Sequence, residues 1–213
     1  MRRLGALSLA LSMAVALVGW SFVGPRLPAK WRVVLQAGMG ALLVLVTRAP
    51  LGLAGPRLWK GIRLGSAAGA VAATAISATT PIPMVRLSMI ERELPASTPG
   101  WLGLRIPVGT VWAEEAAFRA ALATVAAKGF GPSAGRLLQA TAFGLSHIAD
   151  ARQTGESPVA IVLVTGIAGW VFAWLADRSG SLAAPMLVHL AVNEAGAVAA
   201  LTVQRRHSQH ASP

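Results

Sequence analysis

The sequence predicts an all-α fold, a polytopic transmembrane helix bundle with about seven or eight spans. Of its 213 residues, 54% are hydrophobic, and the mean hydropathy is +0.60. A chain of this composition is too apolar for an ordinary soluble domain. Apolar segments long enough to cross the hydrocarbon core recur along the chain, and tryptophans near several segment ends are typical of membrane interfaces.

The apolar segments predict the helices in chain order. The first follows Arg2 and Arg3, and its apolar run from Leu4 to Val23 exceeds the roughly 7–15 residues of a signal peptide. We therefore expect an uncleaved first span. Small residues, as in the stretch from Gly65 to Gly69, favour close packing of membrane helices. The predicted spans lie near residues 5–24, 33–48, 64–82, 106–127, 136–150, 158–176 and 183–203.

Prolines and charges between Pro81 and Pro99 divide the chain into regions. A short amphipathic helix from Met84 to Leu94 would lie at the membrane surface, and His207 to Pro213 would form a disordered tail. We expect N-terminal transmembrane helices over residues 1–85, a linker over 86–100, a transmembrane core over 101–203 and a polar tail over 204–213.

Basic residues outnumber acidic ones, 19 to 8, but they are spread over the connections. This distribution indicates a topology signal and contact with the lipid bilayer, and it predicts no nucleic-acid partner. The signal is divided, because Arg2 and Arg3 favour a cytoplasmic N-terminus while Arg205 and Arg206 favour a cytoplasmic C-terminus. An odd number of spans forbids both, so the charges alone do not orient the bundle.

The sequence contains no cysteine. This excludes disulfides, thiol catalysis and thiolate metal sites. Any bound metal would have to be held by histidine, carboxylate or amide groups.

Three short polar clusters interrupt the apolar second half of the chain. A charged side chain at the centre of a membrane helix costs roughly 2.5–3.5 kcal/mol on insertion scales, so such residues are rare and usually functional. We therefore expect chemistry at these clusters. They are Glu114-Glu115-Ala116-Ala117-Phe118-Arg119, Phe143-Gly144-Leu145-Ser146-His147 and His189-Leu190-Ala191-Val192-Asn193.

Helical spacing predicts how these side chains are arranged. Glu115 and Arg119 are four apart and would form an ion pair, while Glu114 points elsewhere and needs a distant partner. The same spacing places His147 beneath Phe143 and puts two further residues, His189 and Asn193, on one face of the last span. Two imidazoles, one carboxylate and one carboxamide could thus converge in one interior pocket.

This set of groups is sufficient for water-mediated acyl hydrolysis. A glutamate with a histidine can activate a water as general base, or a glutamate and two histidines can bind a divalent metal that lowers the pKa of the water. Asn193 could donate its amide hydrogens to the oxyanion of the tetrahedral intermediate.

The ordered trio Glu-Glu-x-x-x-Arg, Phe-x-x-x-His and His-x-x-x-Asn resembles the motifs of a known family. This is the CAAX protease and bacteriocin-processing (CPBP, or Abi) family of intramembrane proteases, which includes the Ras-converting prenyl endopeptidase. The resemblance covers about residues 101–203, the predicted catalytic core. It implies that Glu114, His147, His189 and Asn193 are active-site residues and that Glu115 and Arg119 support them.

The resemblance also implies a zinc cofactor. Glu114, His147 and His189 would supply three zinc ligands and leave an open position for water. A competing account of the family makes the glutamate and the first histidine activate water directly. In that account the second histidine and the asparagine stabilise the oxyanion, and both accounts stay open here.

The function predicted from the sequence is an intramembrane metalloendopeptidase that hydrolyses a peptide bond of a membrane-associated peptide or protein. The protein would be integral to a membrane, and its composition suits a bacterial cell membrane. Two alternatives remain: an ion-coupled transporter, whose Glu and His groups would relay protons, and a catalytically silent membrane protein that binds peptides. The sequence does not identify the substrate or a prenyl-binding groove.

Overall fold

The structure is a computed structural model that describes residues 2–211. The chain is almost entirely helical, and no β-strand occurs between residues 2 and 211. The predicted all-α class is therefore confirmed.

The helices differ widely in length and in winding. Between α5 and α6 the backbone is wound as two π-helical segments, which we name π1 and π2. In chain order the elements are α1 (Arg2–Val23), a 3₁₀ turn (Gly24–Arg26), α2 (Ala29–Thr47), α3 (Gly55–Thr79), α4 (Pro83–Glu91), α5 (Thr98–Gly100), π1 (Trp101–Trp112), π2 (Glu115–Leu122), α6 (Ala123–Phe130), α7 (Pro132–Leu145), α8 (Ile148–Thr154), α9 (Pro158–Ser179) and α10 (Ala183–Ala211).

By length and apolar composition, 5 helices of the described chain could cross a membrane. They correspond to the predicted spans in α1, α2, α3, α9 and α10. The other two predicted spans, near 106–127 and 136–150, are helical but do not meet these criteria. Helix α7 has 14 residues, which is about 21 Å and shorter than the roughly 30 Å hydrocarbon core. The predicted count of seven or eight spans is therefore confirmed only in part.

The C-terminal segment differs from the prediction. Helix α10 continues to Ala211, so residues 207–211 are helical rather than disordered, and residues 212 and 213 lie outside the described residues. Near the end of this helix, Gln204 donates from Nε2 to the carbonyl oxygens of Met89 at 2.9 Å and Arg92 at 2.7 Å. These bonds join the C-terminal part of α10 to the linker. The predicted linker helix forms over Pro83–Glu91, and the division into four regions stays a prediction.

Helix α10 is held in place by a row of glycines on α3. Gly61, Gly65 and Gly69 are spaced four apart and face the first half of α10. A Cβ atom on Gly65 would lie 2.7 Å from the carbonyl oxygen of Ala184 and 2.9 Å from its Cα. Because these neighbours are backbone atoms, the two helices can approach this closely only without a side chain at Gly65. The row therefore sets the position of the helix that carries His189.

Helix α7 approaches α9 in a similar way. A Cβ atom on Gly144 would lie 2.6 Å from the carbonyl oxygen of Val162 on α9. One position earlier, Phe143 is buried, and its Cδ1 would lie 3.0 Å from a Cβ atom on Gly169. Close packing of the two helices thus fixes the ring of Phe143 in the interior.

Candidate active site

The two glutamates of the first cluster lie where the π-helical backbone is interrupted. Glu114 follows π1 and Glu115 begins π2. Pro107 inside π1 has no backbone N–H to donate to an α-helical partner. A π turn is a wider alternative winding that frequently occurs at functional sites. Despite this winding, Glu115 and Arg119 still share a face.

Glu115 and Arg119 form the predicted ion pair. Arg119 Nη1 lies 3.3 Å from Glu115 Oε1, and both side chains are 0% exposed. The guanidinium carbon lies 3.6 Å from the ring centroid of Phe143 and 5.0 Å from that of Phe172. The cation is therefore stabilised by one carboxylate and by two aromatic faces, and it connects the π2 segment to α7 and α9.

Glu115 also bonds to His189, a contact that the sequence did not predict. Nδ1 of His189 lies 2.7 Å from Oε1 of Glu115. A carboxylate only accepts hydrogen bonds, so Nδ1 carries the hydrogen and donates it. The two residues are 74 positions apart, and no periodicity in the sequence relates positions on different helices at that separation.

The other nitrogen of the same ring faces Glu114. His189 Nε2 lies 3.8 Å from Glu114 Oε2, and 30% of the Glu114 side chain is exposed. The carboxylate oxygen is itself buried and has no hydrogen-bond partner among the described residues. The separation is too long for a direct hydrogen bond, and a bridging water is the usual way to join two polar groups at such a distance. The distant partner expected for Glu114 is therefore His189.

His147 lies in the turn between α7 and α8 and is held by the backbone of α7. Its Nδ1 lies 2.8 Å from the carbonyl oxygen of Phe143, and the two rings pack edge to face with centroids 4.7 Å apart. Since a carbonyl oxygen only accepts, Nδ1 donates, and in the neutral ring Nε2 keeps a free lone pair. The predicted placement of His147 beneath Phe143 is thus observed.

No hydrogen bond or ion pair joins His147 to Glu114 or His189 within residues 2–211. Instead, the ring of Phe143 is near both histidines, with its centroid 4.7 Å from that of His147 and 6.3 Å from that of His189. The structure therefore brings Glu114, Glu115 and His189 into one cluster and leaves His147 beside it.

Asn193 lies one turn after His189 on α10. Its Nδ2 donates to the carbonyl oxygen of His189 at 3.0 Å. A carboxamide nitrogen carries two hydrogens, so one of them remains for another acceptor. Asn193 is partly exposed rather than buried in the core.

The donors suit zinc in type, but their spacing suits it only in part. The 3.8 Å between His189 Nε2 and Glu114 Oε2 does not exceed the sum of one Zn–N and one Zn–O bond, about 4 Å. Glu115 bonds the other nitrogen of His189, as carboxylates behind metal-bound histidines do. However, the described residues contain no group of three or more His, Cys, Asp or Glu side chains close enough to hold an ion. His147, which the sequence predicted as the third ligand, does not complete such a group with Glu114 and His189.

Comparison with protein families matches the part of the chain that contains this cluster. The model of the family described as type II CAAX prenyl endopeptidase Rce1-like matches residues 96–195. This segment contains Glu114, Glu115, His147, His189 and Asn193. Neither the curated proteins nor the solved structures match the chain.

Proposed function

Since residues 96–195 match the family described as type II CAAX prenyl endopeptidase Rce1-like, we propose that the chain hydrolyses a peptide bond of a membrane-associated peptide or protein. The family match supports a protease, and the long apolar helices support an integral membrane protein. The catalytic residues, the zinc cofactor and the class of substrate go beyond the family match and are part of the proposal.

One observation supports this proposal most directly. The imidazole of His189 lies between two carboxylates, with Nδ1 2.7 Å from Glu115 and Nε2 3.8 Å from Glu114. Two buried or half-buried carboxylates around one histidine are costly inside an apolar bundle unless they perform a function. A transporter or a peptide-binding protein would also need polar groups, but the family match favours the endopeptidase.

In the metal-independent form of the proposed reaction, Glu114 is the general base. The carboxylate of this partly exposed side chain takes a proton from a water molecule, and the resulting hydroxide attacks the carbonyl carbon of the substrate. When the carbon–nitrogen bond breaks, the same carboxyl group returns the proton to the leaving amine. His147, with Nε2 free to accept, assists in orienting the water.

His189 and Asn193 stabilise the oxyanion in the metal-independent form of this reaction. When both ring nitrogens of His189 are protonated, Nε2–H becomes a donor while Nδ1–H stays bonded to Glu115. Asn193 supplies the amide hydrogen that is not bonded to the backbone. Removing one such donor typically lowers the turnover rate by about 10²–10³-fold.

In the metal-dependent form, we propose that Glu114, His147 and His189 hold a zinc ion. Bound zinc would supply Lewis acidity that lowers the pKa of its water to about 7. Neutral His189 with Nδ1–H donated to Glu115 presents the lone pair of Nε2, the form that binds metal. Glu115 is therefore a positioning residue in either form.

The experiment that tests the proposed function compares cleavage by wild type with that by Glu114→Gln in proteoliposomes. The substrates are fluorescently labelled peptides anchored to the membrane, one carrying a prenylated C-terminus and one carrying a transmembrane anchor. General-base catalysis is typically worth about 10²–10⁴-fold, so we expect a loss of that size for every substrate that wild type cleaves.

The matched control is Glu194→Gln, which removes a partly exposed carboxylate from α10 without altering the cluster. It should cleave at the wild-type rate. Equal cleavage by Glu114→Gln and wild type would contradict the assigned role of Glu114. A folded wild type that cleaves neither peptide but transports ions or retains the peptides would favour the alternatives.

A further inference from the structure

A wide groove lies where α3 begins and α9 ends, away from the candidate active site. Its volume is about 880 Å³. Three cationic side chains line it, Lys60 and Arg63 from α3 and Arg178 from α9, and apolar side chains including Leu64 and Ala67 form the rest of the lining. It therefore combines positive charge with an apolar wall.

The three cations have no acidic partner. Each is exposed, and no salt bridge to any of them occurs within the described part of the chain. The acidic neighbour in sequence, Asp177, is already bonded to Arg136 at 2.6 Å. The groove thus carries an uncompensated charge of about three at neutral pH, since lysine and arginine are protonated there.

The helices place this groove at the level of the lipid headgroups. Helix α3 has 25 residues, which is about 37 Å and exceeds the roughly 30 Å hydrocarbon core by one to two turns. The charge on Lys60 indicates that the excess lies at the start of the helix, so we expect these first turns at the membrane boundary and Arg63 extending toward it. Trp59 lines the same groove and is 62% exposed, as expected for an interfacial aromatic residue.

We propose that this groove binds an anionic phospholipid. The negatively charged phosphate contacts Lys60, Arg63 and Arg178, and an acyl chain follows Leu64 and Ala67 along α3. The apolar part of the lining distinguishes this ligand from a soluble phosphate, which would leave that surface unused.

The groove is connected to the helix that carries His189. Leu64 packs against a buried cluster that contains Phe172 and Val188, and Phe172 lies 5.3 Å from the ring of His189. A lipid that joins α3 to α9 therefore stabilises the packing behind the candidate active site.

The test is native mass spectrometry of the full chain in detergent, titrated with dioleoyl phosphatidylglycerol or dioleoyl phosphatidylcholine. Each cation near an anionic lipid contributes roughly fivefold in affinity, so three contribute roughly a hundredfold. We expect wild type to prefer phosphatidylglycerol by that factor, and the triple variant Lys60→Gln, Arg63→Gln, Arg178→Gln to show almost no preference.

The matched control is the triple variant Arg86→Gln, Arg92→Gln, Arg152→Gln, which removes the same charge from exposed positions outside the groove. It should keep the wild-type preference. If the groove variant does not fold, Arg178→Gln alone should weaken the preference about fivefold. An unchanged preference in either groove variant would overturn the proposal, as would binding of sn-glycerol 3-phosphate as tight as that of the lipid. The readout is binding, so it does not depend on proteolysis.

Discussion

Glu115 lies between His189 and Arg119, with its Oε1 2.7 Å from His189 Nδ1 and 3.3 Å from Arg119 Nη1. The same carboxylate oxygen, Oε1, makes both contacts. The carboxylate therefore couples the orientation of the histidine to the buried arginine, which in turn lies against Phe143 and Phe172. The two adjacent glutamates thus face opposite nitrogens of the His189 ring, and in the proposed reaction Glu114 acts on the water while Glu115 fixes the orientation of the ring.

The buried pair should show strong coupling in a double-mutant cycle. Removing one partner of a buried ion pair leaves an uncompensated charge and typically costs about 3–5 kcal/mol. We expect Glu115→Gln and Arg119→Met each to destabilise the protein by about that amount. The double variant should cost less than the sum of the two single variants, because it leaves no unpaired charge.

Thermal unfolding followed by tryptophan fluorescence in detergent measures this coupling. The exposed pair of Arg136 with Asp177 is the control, because surface pairs contribute only about 0–1 kcal/mol. Purely additive effects at Glu115 and Arg119 would show that the two side chains do not interact in the folded protein.

The glycine row on α3 should be intolerant of larger side chains. In Gly65→Val the new Cβ would meet backbone atoms of Ala184 within 3 Å, so α3 and α10 would have to separate. Overpacking of this kind typically costs about 1–3 kcal/mol, and the shift of α10 would also displace His189 and slow cleavage.

Gly196→Ala is the matched control, because a Cβ atom there has nothing within 4 Å. Because alanine has a higher helix propensity than glycine, Gly196→Ala should leave the melting temperature unchanged or raise it slightly. If Gly65→Val melted and cleaved like wild type, close contact between α3 and α10 would not be needed to position the site.

Metal analysis distinguishes the two forms of the proposed reaction. We expect mass spectrometry of purified wild type to find about one zinc per chain, as in catalytic sites with three protein ligands. The zinc should be lost in Glu114→Ala and in the double variant His147→Ala with His189→Ala, while Glu194→Gln should retain it. A zinc-free wild type that still cleaves peptides would instead support direct activation of water by Glu114.

Substitution of Asn193 distinguishes the endopeptidase hypothesis from the proton-transporter hypothesis. As an oxyanion donor it should contribute to turnover, so Asn193→Ala should lower the cleavage rate by about 10²–10³-fold with little change in KM. A proton relay needs groups that titrate, and a carboxamide does not titrate. Cleavage unaffected by Asn193→Ala, together with ion flux that requires Glu114, would therefore contradict the endopeptidase assignment.

The sequence predicted the local parts of the site well. The ion pair of Glu115 with Arg119 and the position of His147 below Phe143 both follow from a separation of four residues, although His147 lies in the turn just after α7. The order of the three motifs indicated the family to which residues 96–195 were then matched. The prediction that the segment from His207 onward is disordered was wrong for residues 207–211, which continue α10. Polar composition alone does not end a helix, and neither proline nor glycine occurs among these residues.

By itself, then, the amino-acid sequence determined the helical class and the pairs that lie one helical turn apart, because periodicity relates each side chain to its neighbours one turn away. The order of its motifs also determined the resemblance to the family whose model matches residues 96–195. Only the tertiary structure decided that Glu115 rather than Glu114 bonds His189, and that Arg119 stacks on Phe143 and Phe172. Those contacts depend on how closely α10, α9 and α7 pack. Glycines on α3 allow the close approach of α10, and glycines at the α7–α9 contact allow the close approach of those two helices. Such packing couples residues far apart in the chain, for which helical periodicity carries no information.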